Sequence, residues 1–467
     1  MSSGAPAVAP PTPLPEHDLP RPGRRRRYLL AALATTAALL GLLFLALAVG
    51  SGEPAEGPTG LPAAGRIVEW GLPVATLAGR VAAVGTIGTL LFAAVLLPGR
   101  GAALPAQSRH ALRAASTWAV AWAAATGIAA LLTLSRLLGT DPTSVSWTSL
   151  RVFVEDTGAG RAALLVVALA LVVAVAASRC TATGARILLL LGLSALVLPV
   201  VLSGHSSGAE DHLLAVTTLG VHVVAATVWI GGLGALLVHG RGAEALPGIA
   251  SRFSSLALAA FLATAVSGVL AAWVVLGGSG AVPAALGTGY GALLVAKTAG
   301  LTVLGLLGRQ HRRRTLPRLR AGDGRAFRRF AAGEVLVMLA TVALAVALAA
   351  SPPPGNAAPT GTASAAPAGT AAPAAADPMA GHDHGELSVG VLVDEERFHV
   401  ARPVVAGSRV TVFNGSDAEV TLTAADGSFD LVVPSRTLTT FLAPQEAGEY
   451  GFTSAHSASF ADVLVVE

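Results

Sequence analysis

The chain has 467 residues, of which 53% are apolar and only 12% are charged. Soluble domains carry about 25% charged residues, so this composition indicates a membrane protein. The net charge of +4 comes from clusters of arginine, and no basic stripe with interleaved aromatic residues predicts nucleic-acid binding. The single cysteine, Cys180, excludes an intramolecular disulfide, a CxxC redox pair and a Cys-rich zinc site.

The N-terminal 50 residues divide into a polar part and an apolar part. Residues 1–27 are rich in Pro and end in "RPGRRRR", so we expect a disordered cytoplasmic tail. Residues 28–50 form an apolar run in which Ala46 and Ala48 have the spacing of a signal-peptide cleavage site. The run is nevertheless close to the ~20 residues that span a bilayer, which favours a retained helix over a cleaved signal peptide.

Eight further apolar runs of spanning length follow, at about 73–97, 113–135, 159–178, 186–203, 213–238, 254–276, 290–308 and 332–350. A segment inside a bilayer must satisfy its backbone hydrogen bonds internally, so these runs should be helices. The sequence therefore predicts a polytopic α-helical membrane protein with about nine transmembrane helices.

The arginine residues predict how this bundle is oriented. If the N-terminus lies in the cytoplasm, every second connection is rich in Arg, and the last of these, within 309–329, holds nine. The opposite connections are poor in Arg, as the positive-inside rule requires. Nine spans then place the C-terminus outside the cytoplasm.

The chain beyond the ninth run changes character twice. Residues 351–384 begin with an Ala/Pro-rich stretch that is typical of an extended linker. Residues 385–467 contain eight short alternating runs, from "LSVGVLVD" to "ADVLVVE", separated by Gly, Asn, Asp and Pro. This pattern predicts a small antiparallel β-sandwich outside the membrane.

Three histidines lie around the junction of the fifth and sixth predicted helices. We expect His205 and His212 at the outer membrane surface, and His222 about 15 Å deeper on the sixth helix. Imidazole binds copper, zinc and iron, and an ionisable residue inside a bilayer indicates a functional site. The alternatives are interfacial solvation for the first two, and for His222 a neutral ring bonded to a backbone carbonyl.

A second candidate metal site is the segment "DPMAGHDHG" before the β domain. Met379, His382 and His384 combine a thioether with two imidazoles, a set that suits copper in either oxidation state. The alternative is an incidental polar end of the linker.

Four other residues could take part in chemistry. We expect Lys297 either to take part in the function or to extend its ammonium group to the outer membrane interface. We expect Glu334 to form ion pairs with Arg328 and Arg329. Met338 lies one turn beyond Glu334, and its thioether is expected either to bind a metal or to pack in the apolar core. Cys180 is placed at the cytoplasmic surface, where it could receive a metal on exit.

The region 203–350 resembles the membrane domain of the CopD family of bacterial copper-resistance and copper-transport proteins. The resemblance is carried by "SGHSS", "HVVAATVWIGGLGALL", "RFSSLALAAFLATAVSGVLAAWVVLG" and "FRRFAAGEVLVMLATVALAVALAASPPP". It implies copper handling at the bacterial plasma membrane, most often described as uptake, and it gives weight to His205, His222 and Trp229. The "WIGG" sequence also offers small residues for close helix packing. The expected regions are therefore 28–200 with N-terminal helices and 201–350 with the CopD-like domain.

The C-terminal β domain resembles a cupredoxin that lacks the blue-copper cysteine. The sequence "YGFTSAHSASF" has Ser454 where the family has Cys, and His456 is out of register. A type 1 copper site needs that thiolate, so we expect a structural or docking domain, with His399 and His456 as weak metal ligands at most.

These observations predict a copper-binding membrane protein, not an enzyme, whose cargo is the copper ion. Its expected partners are the lipid bilayer and, as a candidate, an extracytoplasmic copper-binding protein. Two alternatives remain open. A b-type haem protein needs a second histidine at the depth of His222, whereas His110, His239 and His311 are expected at the cytoplasmic edge. A copper sensor or oxidase assembly factor would bind copper without transporting it.

Overall fold

The computed structural model describes residues 22–50, 65–98, 104–202, 209–241, 246–276, 282–351, 390–395, 397–400, 403–455 and 460–467. The helices are α1 Pro22–Gly50, α2 Arg66–Leu91, α3 Ala106–Leu138, α4 Trp147–Asp156, α5 Gly158–Ala176, α6 Ala182–Leu202, α7 Ala209–His239, α8 Leu246–Val275, α9 Val282–Leu286, α10 Gly289–Gln310, α11 Leu316–Arg320 and α12 Gly324–Ala349. π-Helical turns extend α2 over Phe92–Leu96 and join α10 to α11 over His311–Thr315.

Nine helical stretches within the described residues are long and apolar enough to cross a membrane, as predicted. Many large apolar side chains on them face outwards, including Leu45 at 63%, Val175 at 67% and Val269 at 69% exposure. An apolar exterior on this scale is what a bilayer solvates, since soluble monomers seldom expose large apolar patches. The short helix α4, between the third and fourth spans, was not predicted.

Local sequence explains where several helices begin and end. The Thr157 hydroxyl accepts a hydrogen bond from the Gly160 amide at the start of α5, and the Asp323 carboxylate accepts from the Arg325 and Ala326 amides at the start of α12. Both are N-caps, which satisfy amides that lack a partner in the first turn. Helix α3 ends at Gly139, whose φ of 60° is readily adopted by glycine.

Close packing in the bundle depends on the predicted small residues of "WIGG". A Cβ atom added to Gly231 of α7 would lie 2.5 Å from the Val84 carbonyl oxygen and 2.9 Å from the Gly88 Cα atom of α2. The neighbouring Gly232 faces the Phe253 ring of α8. The two glycines therefore let α7 contact a different helix on each side, which confirms the expectation of close approach.

The C-terminal region folds into two four-stranded sheets, and all eight predicted strands are present. They are β1 Val391–Val393, β2 Phe398–Val400, β3 Arg409–Asn414, β4 Val420–Ala424, β5 Asp430–Val433, β6 Thr437–Leu442, β7 Gly448–Thr453 and β8 Ala461–Val466. The sheet orders are β2-β1-β3-β6 and β5-β4-β7-β8. All pairs are antiparallel except β1 with β3, which is parallel. One apolar core, including Val412, Leu422 and Phe452, lies between the sheets.

The outer face of the first sheet docks on the helical bundle. Leu392, Phe413 and Leu438 form one buried cluster with side chains of α3 and α4, namely Leu134, Leu138 and Phe153. The Leu438 amide donates to the Ser149 hydroxyl of α4 over 3.4 Å, and Arg409 pairs with Asp156 at 2.5 Å. The β-sandwich is therefore attached to α4 mainly by apolar contact.

Candidate metal centre

His222 lies in α7 thirteen residues after its first residue and is partly buried among other helices. Its Nδ1 atom is 3.1 Å from the Thr264 carbonyl oxygen and 3.2 Å from the Ser267 hydroxyl, both on α8. A carbonyl oxygen only accepts hydrogen bonds, so Nδ1 carries the proton in this contact. The lone pair of the neutral ring is then on Nε2, and a metal-binding histidine is commonly oriented in this way.

The neighbours of His222 hold the ring in place. The Ser267 hydroxyl in turn donates to the Ala263 carbonyl at 2.5 Å, which fixes it as an acceptor towards the imidazole. A Cβ atom added to Gly268 would lie 3.2 Å from His222 Cε1, so this glycine gives the ring room. The alternative expectation, a neutral ring bonded to a backbone carbonyl, is therefore correct for Nδ1. It leaves Nε2 with a lone pair.

His222 lines an open cavity of about 730 Å³, whose wall is formed mainly by α2, α3, α5, α6, α7, α8, α10 and α12. Trp229 lines the same cavity, as expected for two residues seven apart on one helix face. The fully buried Met338 also contributes its thioether, a soft ligand that suits copper, to the wall of this cavity. The buried Thr264 hydroxyl, on this wall too, has no hydrogen-bond partner among the described residues.

Two cationic side chains share this cavity with His222. Lys297 of α10 lines the cavity, so its side chain is not confined to the outer membrane interface. Arg80 of α2 lines it as well, and this residue was not predicted from the sequence. The signal was available, because Arg80 is an ionisable residue within a predicted span. Among the lining residues that the structure describes, none is acidic.

The remaining predicted ligands lie wholly or partly outside the described residues. His205, Met379, His382 and His384 fall outside them, and so does His456. His212 belongs to the first turns of α7, but its side chain is not described. Within the described ranges, no three His, Cys, Asp or Glu side chains form a group that could hold a metal ion.

One pairing expectation was wrong. Glu334 is only 4% exposed, yet it makes no ion pair with Arg328 or Arg329, nor with any other residue that the structure describes. These residues lie five and six positions before Glu334 on α12, so they point away from its face of the helix. Glu334 instead lines a second, smaller cavity together with His311.

The β-sandwich offers no exposed imidazole at the described histidine. His399 Nε2 lies 2.6 Å from the Asp394 carboxylate across the β1–β2 hairpin, and the side chain is 9% exposed. The hydroxyl of Ser454, the residue expected from the sequence to replace the cupredoxin Cys, accepts a hydrogen bond from the Thr421 amide at 3.3 Å. Both side chains therefore take part in the internal bonding of the domain.

Two family models match the chain. The model described as Copper resistance protein D-like, N-terminal domain, matches residues 67–213, and the model described as Copper resistance protein D matches residues 247–348. Together they cover more than half of the chain, and His222 and Trp229 lie between the two matched ranges. No curated protein and no solved structure gave a match.

Proposed function

The chain belongs to the copper resistance protein D family, and from this premise we propose that it binds copper within its helical bundle and carries the ion inward across the bacterial plasma membrane. The family and the nine apolar helices together support a multi-pass membrane protein. The observation that carries the proposal is His222, whose Nδ1–H is bonded to α8 and whose Nε2 keeps a lone pair beside a large cavity.

We propose that copper reaches His222 from the extracytoplasmic side. The segment with Met379, His382 and His384 collects the ion or receives it from an extracytoplasmic copper-binding protein, and His205 and His212 form the outer mouth. Met338 is the proposed second ligand within the bundle, because its thioether lies in the same cavity wall as His222. Soft thioether and imidazole ligands together suit Cu(I).

The charge of the cavity bears on which copper species enters. Arg80 and Lys297 repel a cation, and the repulsion grows with the charge of the ion, so it disfavours Cu²⁺ more than Cu⁺. The cavity of about 730 Å³ is also far larger than a bare ion needs. We therefore propose Cu⁺ as the bound species.

The proposed orientation agrees with the way the β-sandwich is attached. The distribution of Arg predicts that both the α3–α5 connection and the C-terminal domain lie outside the cytoplasm. In the fold, the β-sandwich packs on α4, which lies within that connection. Two regions that the same rule assigns to one side of the membrane are thus in contact, which supports a docking role for the β-sandwich on that side.

The test is copper accumulation by cells that express His222→Asn at limiting copper. We expect accumulation to fall by roughly tenfold, corresponding to about 1.4 kcal/mol or more of lost binding, at unchanged protein level. The matched control is His110→Asn, which replaces an exposed histidine of α3 that does not line the cavity. Wild-type accumulation in His222→Asn would contradict the proposal.

The same experiment separates the other candidate functions. A sensor or assembly factor would lose copper from the purified His222→Asn protein without any change in cellular accumulation. A b-type haem protein would show a Soret band in the absorption spectrum of the purified chain, and we expect none.

A further inference from the structure

A second cavity, of about 300 Å³, lies beside the cavity of His222 and has a charged end and an apolar end. Its wall is formed by α7, α8, α10, α12 and the π-helical turn that follows α10. Three arginine residues, Arg309, Arg312 and Arg313, line it. We call it the arginine cavity.

Two of the three guanidinium groups are available to a ligand. Arg312 donates to the Ser254 carbonyl of α8. Arg309 and Arg313 are exposed, and neither forms a hydrogen bond or an ion pair with any residue that the structure describes. They are four residues apart on one continuous helical stretch, so they lie on the same face. Glu334 is the one acidic residue in the described wall, so positive charge predominates there and the charged end suits an anion.

The other end of the arginine cavity is apolar and lies deeper in the bundle. Trp229 and Leu304, which line it, are only 5% and 2% exposed. Leu304 precedes Arg309 by five residues, which is roughly 7.5 Å along the axis of α10. The wall therefore changes from charged to apolar along the direction of the helices.

The arginine cavity communicates with the exterior of the bundle. Leu258 of α8 lines it and is 44% exposed, on a helix that is apolar enough to span a membrane. The Arg-rich connection within 309–329 is predicted to face the cytoplasm. The charged end then lies at the cytoplasmic surface of the membrane and the apolar end points towards the bilayer midplane. Headgroups and acyl chains of that leaflet are arranged along the same axis.

We propose that the arginine cavity binds one anionic phospholipid of the cytoplasmic leaflet, with the phosphate at Arg309 and Arg313 and part of an acyl chain against Trp229 and Leu304. Basic pockets between helices on the cytoplasmic side recognise anionic headgroups in this way. The apolar end is what an acyl chain requires and what a free phosphate ion does not use. This inference is independent of copper and therefore of the proposed function.

Lipid-dependent thermal unfolding of the purified full-length chain in detergent tests the site. The additions are phosphatidylglycerol, phosphatidylcholine with the same acyl chains, and sodium phosphate. We expect phosphatidylglycerol to raise the midpoint of unfolding by several degrees, and the other two to have a much smaller effect. In the double variant Arg309→Gln and Arg313→Gln, we expect the apparent affinity for phosphatidylglycerol to fall roughly tenfold or more, because two cationic contacts are lost.

The matched control is the double variant Arg314→Gln and Arg318→Gln. It removes the same charge from the same connection, but both residues are exposed and neither lines the arginine cavity. We expect it to bind phosphatidylglycerol as the wild type does. An equal loss of affinity in the two double variants would assign the effect to net charge and overturn the site.

Gly308→Leu tests the cavity without removing any guanidinium group. Gly308 lines the cavity, and a Cβ atom added there meets no atom within 4 Å, so the larger side chain extends into open space. We expect the stabilisation by phosphatidylglycerol to be lost, with a monodisperse elution profile and an unchanged midpoint in the absence of lipid. Full stabilisation of both Gly308→Leu and the Arg309/Arg313 variant would overturn the proposal. So would equal stabilisation of the wild type by phosphatidylcholine or by sodium phosphate.

Discussion

In the β-sandwich, the fully buried Asn414 donates to the Ala418, Val433 and Pro434 carbonyls and accepts from Ser416. In the helical bundle, Glu334 is almost as deeply buried but has no partner among the described residues, and one nitrogen of His222 keeps its lone pair. The comparison teaches that a satisfied buried polar group supports the fold, whereas an unsatisfied one beside a cavity is available to a ligand. Substitutions in the two regions should therefore have opposite consequences.

The largest expected effect on stability is at Asn414. Replacing Asn414 with Ala removes the hydrogen bonds that its Nδ2 donates to three carbonyl oxygens and those that its Oδ1 accepts from the Ser416 amide and hydroxyl. We therefore expect the free energy of unfolding of the β-sandwich to fall by about 2–4 kcal/mol. Thermal unfolding of the full-length chain measures this loss. Copper binding at His222 should not change, and a parallel loss of copper would break the comparison.

The next effect concerns the contact between the two regions. Phe413 is 5% exposed and packs against α3 and α4 rather than in the core of the sandwich. We expect Phe413→Ala to weaken docking by roughly 3 kcal/mol, seen as faster amide hydrogen exchange in α4 with unchanged exchange in β4 and β7. Arg409→Met is the matched control.

Arg409 should matter much less than Phe413 for docking. The Asp156 carboxylate, through its hydrogen bond, raises the pKa of Arg409, so the guanidinium stays charged throughout the physiological range of pH. The guanidinium side chain is nevertheless 56% exposed, and exposed ion pairs contribute little. Equal effects of Phe413→Ala and Arg409→Met on exchange in α4 would contradict the apolar account of docking.

Glu334 should show the reverse of Asn414. Because Glu334→Gln removes a buried group that has no partner to lose, we expect the thermal stability of the bundle to stay within about 1 kcal/mol of wild type or to rise. The measurement is thermal unfolding of the detergent-solubilised protein without copper. A loss comparable with that of Asn414→Ala would mean that Glu334 is structural, and would remove the contrast between the two regions.

The smallest effect is at Cys180, between α5 and α6, which is half-buried. Burial raises the pKa of the Cys180 thiol, so at any pH below that value less thiolate is present than in a free thiol. We expect alkylation at pH 8 to be several-fold slower in the folded protein than in the denatured protein, and the difference to shrink as the pH rises. Equal rates at pH 8 would show that the thiol is not protected by the fold.

Hydropathy and periodicity were sufficient to predict the long apolar helices and the strands, but not the short helices α4, α9 and α11. Nine apolar runs became nine helices, and eight alternating runs became eight strands, because a run of suitable residues decides its own backbone conformation through local burial. The burial pattern of one strand differs from the alternation that the sequence predicts. Five of the six residues of β3 are buried, so its burial does not alternate, because α4 covers the face that a solvated sheet would expose.

The candidate site was predictable only in part. Its central residue, His222, and its neighbour Trp229 followed from their place within a predicted span, and Arg80 could have been found by the same rule. The hydrogen bonds of His222 to α8 and the position of Met338 in the same cavity wall could not be predicted, because Thr264 is 42 residues and Met338 more than a hundred residues away along the chain.

The sequence by itself determined which long segments are helices and which short ones are strands, and it indicated which side chains have the chemistry to bind copper. Only the tertiary structure decided that His222 donates to Thr264, that Glu334 shares a cavity with His311 instead of pairing with Arg328 and Arg329, and that the β-sandwich docks on α4. The physical reason is distance along the chain. Backbone conformation depends on neighbours within a few residues, whereas the partner of a buried polar group is set by how whole helices pack.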